Sequence, residues 1–119
     1  MAIEKILLSG TGADSQPFQS DGTNNYTIHT ASSTATDIDE VWLWACNVGA
    51  ADVVATVGWG QAGYTASNSI FTVTSKAGLY LMTPGLVLKG NATAQKIVNV
   101  FADSASSINW VGYVNRHSV

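Results

Sequence analysis

With 119 residues the chain has the size of one domain, long enough to bury roughly two-thirds of the surface that its unfolded form exposes. Only 11% of its residues are charged, against about 25% in an average soluble domain, and 5 Lys and Arg stand against 8 Asp and Glu with no basic run, so the electrostatic footprint of a nucleic-acid binder is missing. Cys46 is the sole cysteine, which excludes an intrachain disulfide, and no segment approaches a membrane span of about 20 consecutive apolar residues, so a soluble product without a membrane partner is expected.

Met1 to Leu8 reads as a first strand, because its apolar run is too short and its first charge too acidic for a signal peptide. Ser9 to Ser15 and Gln19 to Asn25 are loops, rich in Gly, Asp, Asn and Ser that bond their own backbone or tolerate positive φ. Tyr26 to Ala31 has the β-branched and aromatic content of a strand, and Val41 to Val48 is the strongest strand signal in the chain. Val53 to Gly60 follows after Gly49 to Asp52, a connection short enough to predict that these two strands pair as a hairpin. Further strands are expected at Ile70–Thr74, Leu79–Met82, Leu86–Lys89, Lys96–Phe101 and Ile108–Asn115, with Pro17 and Pro84 where extended segments begin or bend. No long 3.6-residue apolar stripe, internal repeat or linker interrupts this pattern. The expected fold is a single all-β domain over residues 1–119, a β-sandwich or jelly roll, with an N-terminal arm at 1–8.

The faces of the strands carry the functional argument. Val41, Leu43 and Ala45 alternate with Trp42, Trp44 and Cys46, so both faces of this strand are apolar, where a half-solvated sheet would alternate apolar with polar. Leu79 to Met82 and Ile97 to Phe101 repeat the feature. A two-layer sandwich covers inner faces only, so the outer faces need a loop, a partner or another subunit, and symmetric self-association is the natural cover. Trp42, Trp44, Trp110 and Tyr113 are therefore assigned to the core or to an oligomer contact.

Candidate chemistry is sparse. His29 and His117 coexist with many serines and aspartates, but no Gly-x-Ser-x-Gly elbow accompanies them, and no catalytic residue is assigned. One Cys and two distant His give no metal-ligand spacing. Asp37 to Glu40 reads as an acidic turn before a strand, so no metal and no cofactor are expected. Gly58 to Gly63 superficially follows a phosphate-loop pattern but lacks the lysine and the helix, and Asn91-Ala92-Thr93 is read as a turn. Trp59 and Tyr64, flanked by glycines in an expected loop, are the best placed of the aromatics for a glycan platform.

Leu79 to Leu88 with its Pro84-Gly85-Leu86 step, Val98 to Ala102, Val111 to Arg116 and Glu40 to Asn47 together resemble small virion proteins of tailed bacteriophages, particularly the capsid decoration, or cement, proteins of cyanophages. The resemblance spans about Glu40 to Arg116 and is one of texture, without a diagnostic motif. It implies a trimeric β-sandwich or jelly-roll module on the outside of an icosahedral head, bridging neighbouring major capsid proteins, with no enzymatic residues. Ile3, Glu4, Lys5 and Ile6 of the N-terminal arm and the C-terminal Arg116 and His117 are the candidate capsid contacts, since termini often become ordered on a partner. A carbohydrate- or receptor-binding module of a phage fibre, or another head or tail structural protein, are the alternatives.

Overall fold

The structure is a computed structural model that describes residues 2–8, 18–60 and 67–119. Its strands are β1 (Ala2–Leu7), β2 (Phe18–Gln19), β3 (Tyr26–Thr30), β4 (Ile38–Asn47), β5 (Val53–Gly60), β6 (Asn68–Val73), β7 (Leu79–Lys89), β8 (Ile97–Ala102) and β9 (Ile108–Ser118). They form two antiparallel sheets. One has the order β1-β9-β4-β7 with β2 also paired to β9, and the other has the order β3-β8-β5-β6. The chain is thus an all-β sandwich, as its composition predicts.

Alternation along the strands builds the core. Val41, Leu43 and Ala45 of β4, with Trp110 and Val114 of β9, point inward from the first sheet, and Ala55, Val57, Val98 and Val100 meet them from the second. Trp110 is the largest fully buried side chain, and its indole N–H donates to the hydroxyl of Ser20 at 3.2 Å, so the ring is dry while its polar atom is satisfied.

Two expectations are corrected. β4 and β5 do not pair: β4 lies between β9 and β7, whereas β5 lies between β8 and β6 in the opposite sheet. Asn47, fully buried, sets this crossing. Its amide donates to the carbonyls of Ala51 and Val73 at 2.8 and 2.9 Å and its carbonyl accepts the Gly49 N–H, which ties the end of β4 to β6 across the sandwich. The runs around Leu79–Met82 and Leu86–Lys89 are one strand, β7. Register shifts between Val41 and Trp42 and between Leu43 and Trp44 absorb the interruption, with Gly85 at φ 70° and Pro84 opposite Trp42. The indole of Trp42 lies against Gly85, where a Cβ would come within 2.8 Å of Cζ2.

Candidate functional site: an aromatic outer sheet face

Residues directly opposite in an antiparallel pair share a face, so the register maps the solvent side of the β1-β9-β4-β7 sheet row by row. Across its middle, Val111, Trp44 and Leu81 are neighbours. The next row holds Leu7, Tyr113, Trp42 and Pro84, and on the other side of Trp44 lie Asn109, Cys46 and Leu79. Trp42 and Trp44 stack at 6.2 Å between centroids with planes 21° apart, and Tyr113 sits 6.2 Å from Trp44. Leu79 is 62% exposed and Leu81 44%, so the apolar surface continues to the sheet edge uncovered. Among the described residues this half of the face contains no charged side chain.

Towards the Ile38 end the face changes character. Lys5, Asn115, Glu40 and Val87 form one row, and Ile3, His117, Ile38 and Lys89 the next. The Lys5 ammonium lies 4.4 Å from the Tyr113 ring centroid, a cation–π contact at the border of the two halves. Glu40 accepts the Trp42 indole N–H at 2.7 Å and the Asn115 amide at 3.1 Å, with His117 at 3.8 Å. These hydrogen bonds, Trp42's first, lower the Glu40 pKa.

A second cluster lies inside the sandwich. Asp39, on the same side of β4 as Val41 and Leu43, receives Arg116 Nε at 2.7 Å and Nη2 at 2.8 Å, and its Oδ2 lies 2.6 Å from His29 Nε2 of β3. Asp39 and His29 are each 1% exposed. Burial works to raise the carboxyl pKa, but the hydrogen bonds from Arg116 and His29 outweigh it, and the net direction is down. The ionised carboxylate only accepts, so His29 donates from Nε2. Its Nδ1 has no hydrogen-bond partner, and burial lowers the imidazole pKa. With Asp39 and His29 buried and Arg116 reaching in from the partly exposed end of β9, the cluster pins β3 to β4 and β9. Asp39 therefore sits within a strand and not in the acidic turn expected over Asp37 to Glu40. Among the described residues no group of His, Cys, Asp and Glu is arranged to hold a metal ion.

The sequence-derived sites fall in different places. Trp42, Trp44 and Tyr113 come together on the outer face, while Trp110 is core. Ile3 and Lys5 share that outer face with His117, whereas Glu4 and Ile6 lie on the opposite side of β1, and Arg116 turns inward to Asp39. Trp59 is not in a loop: it belongs to β5, packs partly buried against the core, and lines an open pocket of about 270 Å³ with Met82, Thr83 and Leu86. Tyr64, the rest of the glycine-rich run and the Thr11–Pro17 stretch lie outside the described residues. Gly58 and Gly60 also belong to β5, whereas the Asn91 segment forms its expected turn, with the side-chain carbonyl accepting the Thr93 and Ala94 N–H groups.

Among the described residues no helix is long and apolar enough to cross a membrane. No protein-family model and no curated protein matches the sequence. In fold, the chain is similar to a solved structure described as "Bacillus endospore appendages form a novel family of disulfide-linked pili", with a TM-score of 0.58 over 99% of this chain and 88% of that one. At 10% identity this likeness extends to the β-sandwich architecture alone.

Proposed function

We propose that this chain is a non-enzymatic structural subunit, a capsid decoration protein that forms a homotrimer on the outside of a phage head and stabilises contacts between major capsid proteins. One observation carries the reading: the uncharged aromatic and aliphatic half of the β1-β9-β4-β7 outer face, a surface that a chain working alone in water would lose free energy by exposing. The strand order supports a jelly roll, because from β2 onward every connection except the β5–β6 hairpin crosses between the sheets, which read β1-β9-β4-β7 and β3-β8-β5-β6. Low overall charge suits a module repeated many times on one shell, where weak contacts add up through avidity.

The test is sedimentation of the purified protein with undecorated heads, followed by heating. The reading expects co-sedimentation at saturating stoichiometry and heads that release their contents at a higher temperature. Heads that neither bind the protein nor gain stability would refute it. A filament subunit is the second reading, favoured by the fold likeness to an appendage protein described as a pilus. It expects the purified protein to form fibres visible by electron microscopy.

A further inference from the structure

The outer face of the second sheet carries a small cleft of about 240 Å³, lined by Asn25, Thr56, Asn68, Asn99 and Phe101. The register explains why these side chains meet. Thr27, Asn99, Gly58 and Asn68 form one row across β3, β8, β5 and β6, and Phe101 and Thr56 sit side by side in the next. Gly58 is the floor: a Cβ there would collide with Asn99 Oδ1, so glycine lets the Asn99 carboxamide lie flat over β5. Asn99 is only 5% exposed although it belongs to an outer face. Its Nδ2 donates to Asn25 Oδ1 at 3.4 Å, a long bond, and its buried Oδ1 has no hydrogen-bond partner. A buried carbonyl without a donor costs stability, so folding alone does not account for this side chain.

We propose that this cleft binds a neutral saccharide, holding one hexopyranose ring with the Asn99 carbonyl accepting a sugar hydroxyl. Three features select that chemistry. None of the lining side chains is ionisable, so the cleft offers no counter-charge to a phosphate, a carboxylate or an ammonium. The three carboxamides and the Thr56 hydroxyl each present donor and acceptor capacity, which matches sugar hydroxyls, themselves both donor and acceptor. Phe101, half-buried beside Thr56, adds the apolar surface on which the C–H face of a sugar ring packs. The volume lies below the ~300 Å³ at which pockets for drug-sized ligands begin, so it admits a single ring and leaves the rest of a longer glycan on the surface. Entry requires the exposed Asn68 side chain to turn from Gly58 towards the ligand, which uncovers Asn99 Oδ1. The cleft lies on the sheet opposite the Trp42–Trp44 face, so it stays accessible whether or not that face is covered, and it does not depend on the decoration reading.

The experiment is an NMR titration of the isotope-labelled full chain with glucose, galactose, mannose and N-acetylglucosamine in turn, read from the side-chain amide signals of Asn25, Asn68 and Asn99. At least one sugar is expected to shift these signals to saturation, while inorganic phosphate and a capped glycine amide leave them in place. Asn68→Ala and Thr56→Val, both on the outer face, should each weaken sugar binding by roughly 5- to 10-fold, the loss of about one hydrogen bond, with the backbone spectrum otherwise that of the wild type. Signals unmoved by every sugar, or sugar binding that both variants keep at full strength, would overturn the inference. A response to phosphate or to the capped glycine amide, and to none of the sugars, would overturn it in favour of an anion or a peptide.

Discussion

On the outer face of the first sheet, Trp44 is flanked by Val111 and Leu81, and Trp42 by Tyr113 and Pro84. On the outer face of the second, Thr56 is flanked by Phe101 and Ile70, Gly58 by Asn99 and Asn68, and Val54 by Thr72. The two inner faces are near equivalents, rows of Val, Ala, Leu and Ile that fill one core. The outer faces diverge. On the second sheet, threonine, asparagine and glycine separate single apolar side chains, as on any wet sheet. On the first, the apolar positions are contiguous. Folding needs only the inner rows, so the contiguous outer row is the part of the sequence that folding leaves unexplained.

Substitutions can break this comparison, beginning with the largest effect. Trp110→Ala, in the inner row of β9, is expected to lower unfolding free energy by about 3–5 kcal/mol in a denaturant titration. A loss below about 1 kcal/mol would show that the ring is not a core element. Asp39→Ala is expected to cost about 3 kcal/mol, the lower end for a broken buried pair, since Arg116 is partly exposed and regains water. The same cluster sets the response to acid. His29 has a lowered pKa in the fold, so between that value and its ordinary 6.5 the unfolded chain holds more protons, and stability falls as pH drops below about 6.5. The lowered Asp39 pKa adds a loss that begins only as pH falls below 3.8. Thermal melts between pH 8 and 4 check this: His29→Gln should flatten the upper part of the profile, and an unchanged slope would contradict the assignment.

Gly58→Ala probes the second outer face, where a Cβ would come within 2.0 Å of Asn99 Oδ1. A loss of about 1–3 kcal/mol is expected, with recovery in the Gly58→Ala, Asn99→Ala double variant. Failure of the second change to restore stability would place the clash elsewhere. The smallest effect belongs to Ile70→Lys, 64% exposed among threonines, which should move stability by no more than about 0.5 kcal/mol in the same titration.

The outer aromatic face was legible in the sequence, because Trp42, Trp44 and Cys46 alternate with Val41, Leu43 and Ala45 and a strand has only two faces. The sheet to which β4 belongs was not. Gly49 to Asp52 suits a hairpin and an intersheet crossing equally, and the deciding bonds, from Asn47 to Ala51 and Val73, join residues up to 26 apart. The His29–Asp39–Arg116 cluster left a fainter signal. Asp39 shares the parity of Val41, Leu43 and Ala45, so an extension of β4 back to Ile38 would have buried a carboxylate and required a cation, but its partners lie 10 and 77 residues away. Trp59 was misplaced for a local reason: its flanking glycines suggest a turn, whereas Gly58 is required to make room for Asn99 within a strand.

Cys46, the sole cysteine, sits half-buried on the outer face beside Trp44 and Leu79, and it reports directly on whether that face is covered. The rate of its modification by a small maleimide, followed over a protein concentration series, tests the central claim. A face buried in the assembled protein predicts slow labelling at high concentration, faster labelling on dilution, and fast labelling at every concentration for Leu81→Lys. A rate independent of concentration, and equal in the wild type and that variant, would show that the face stays open to water and that the protein works without covering it.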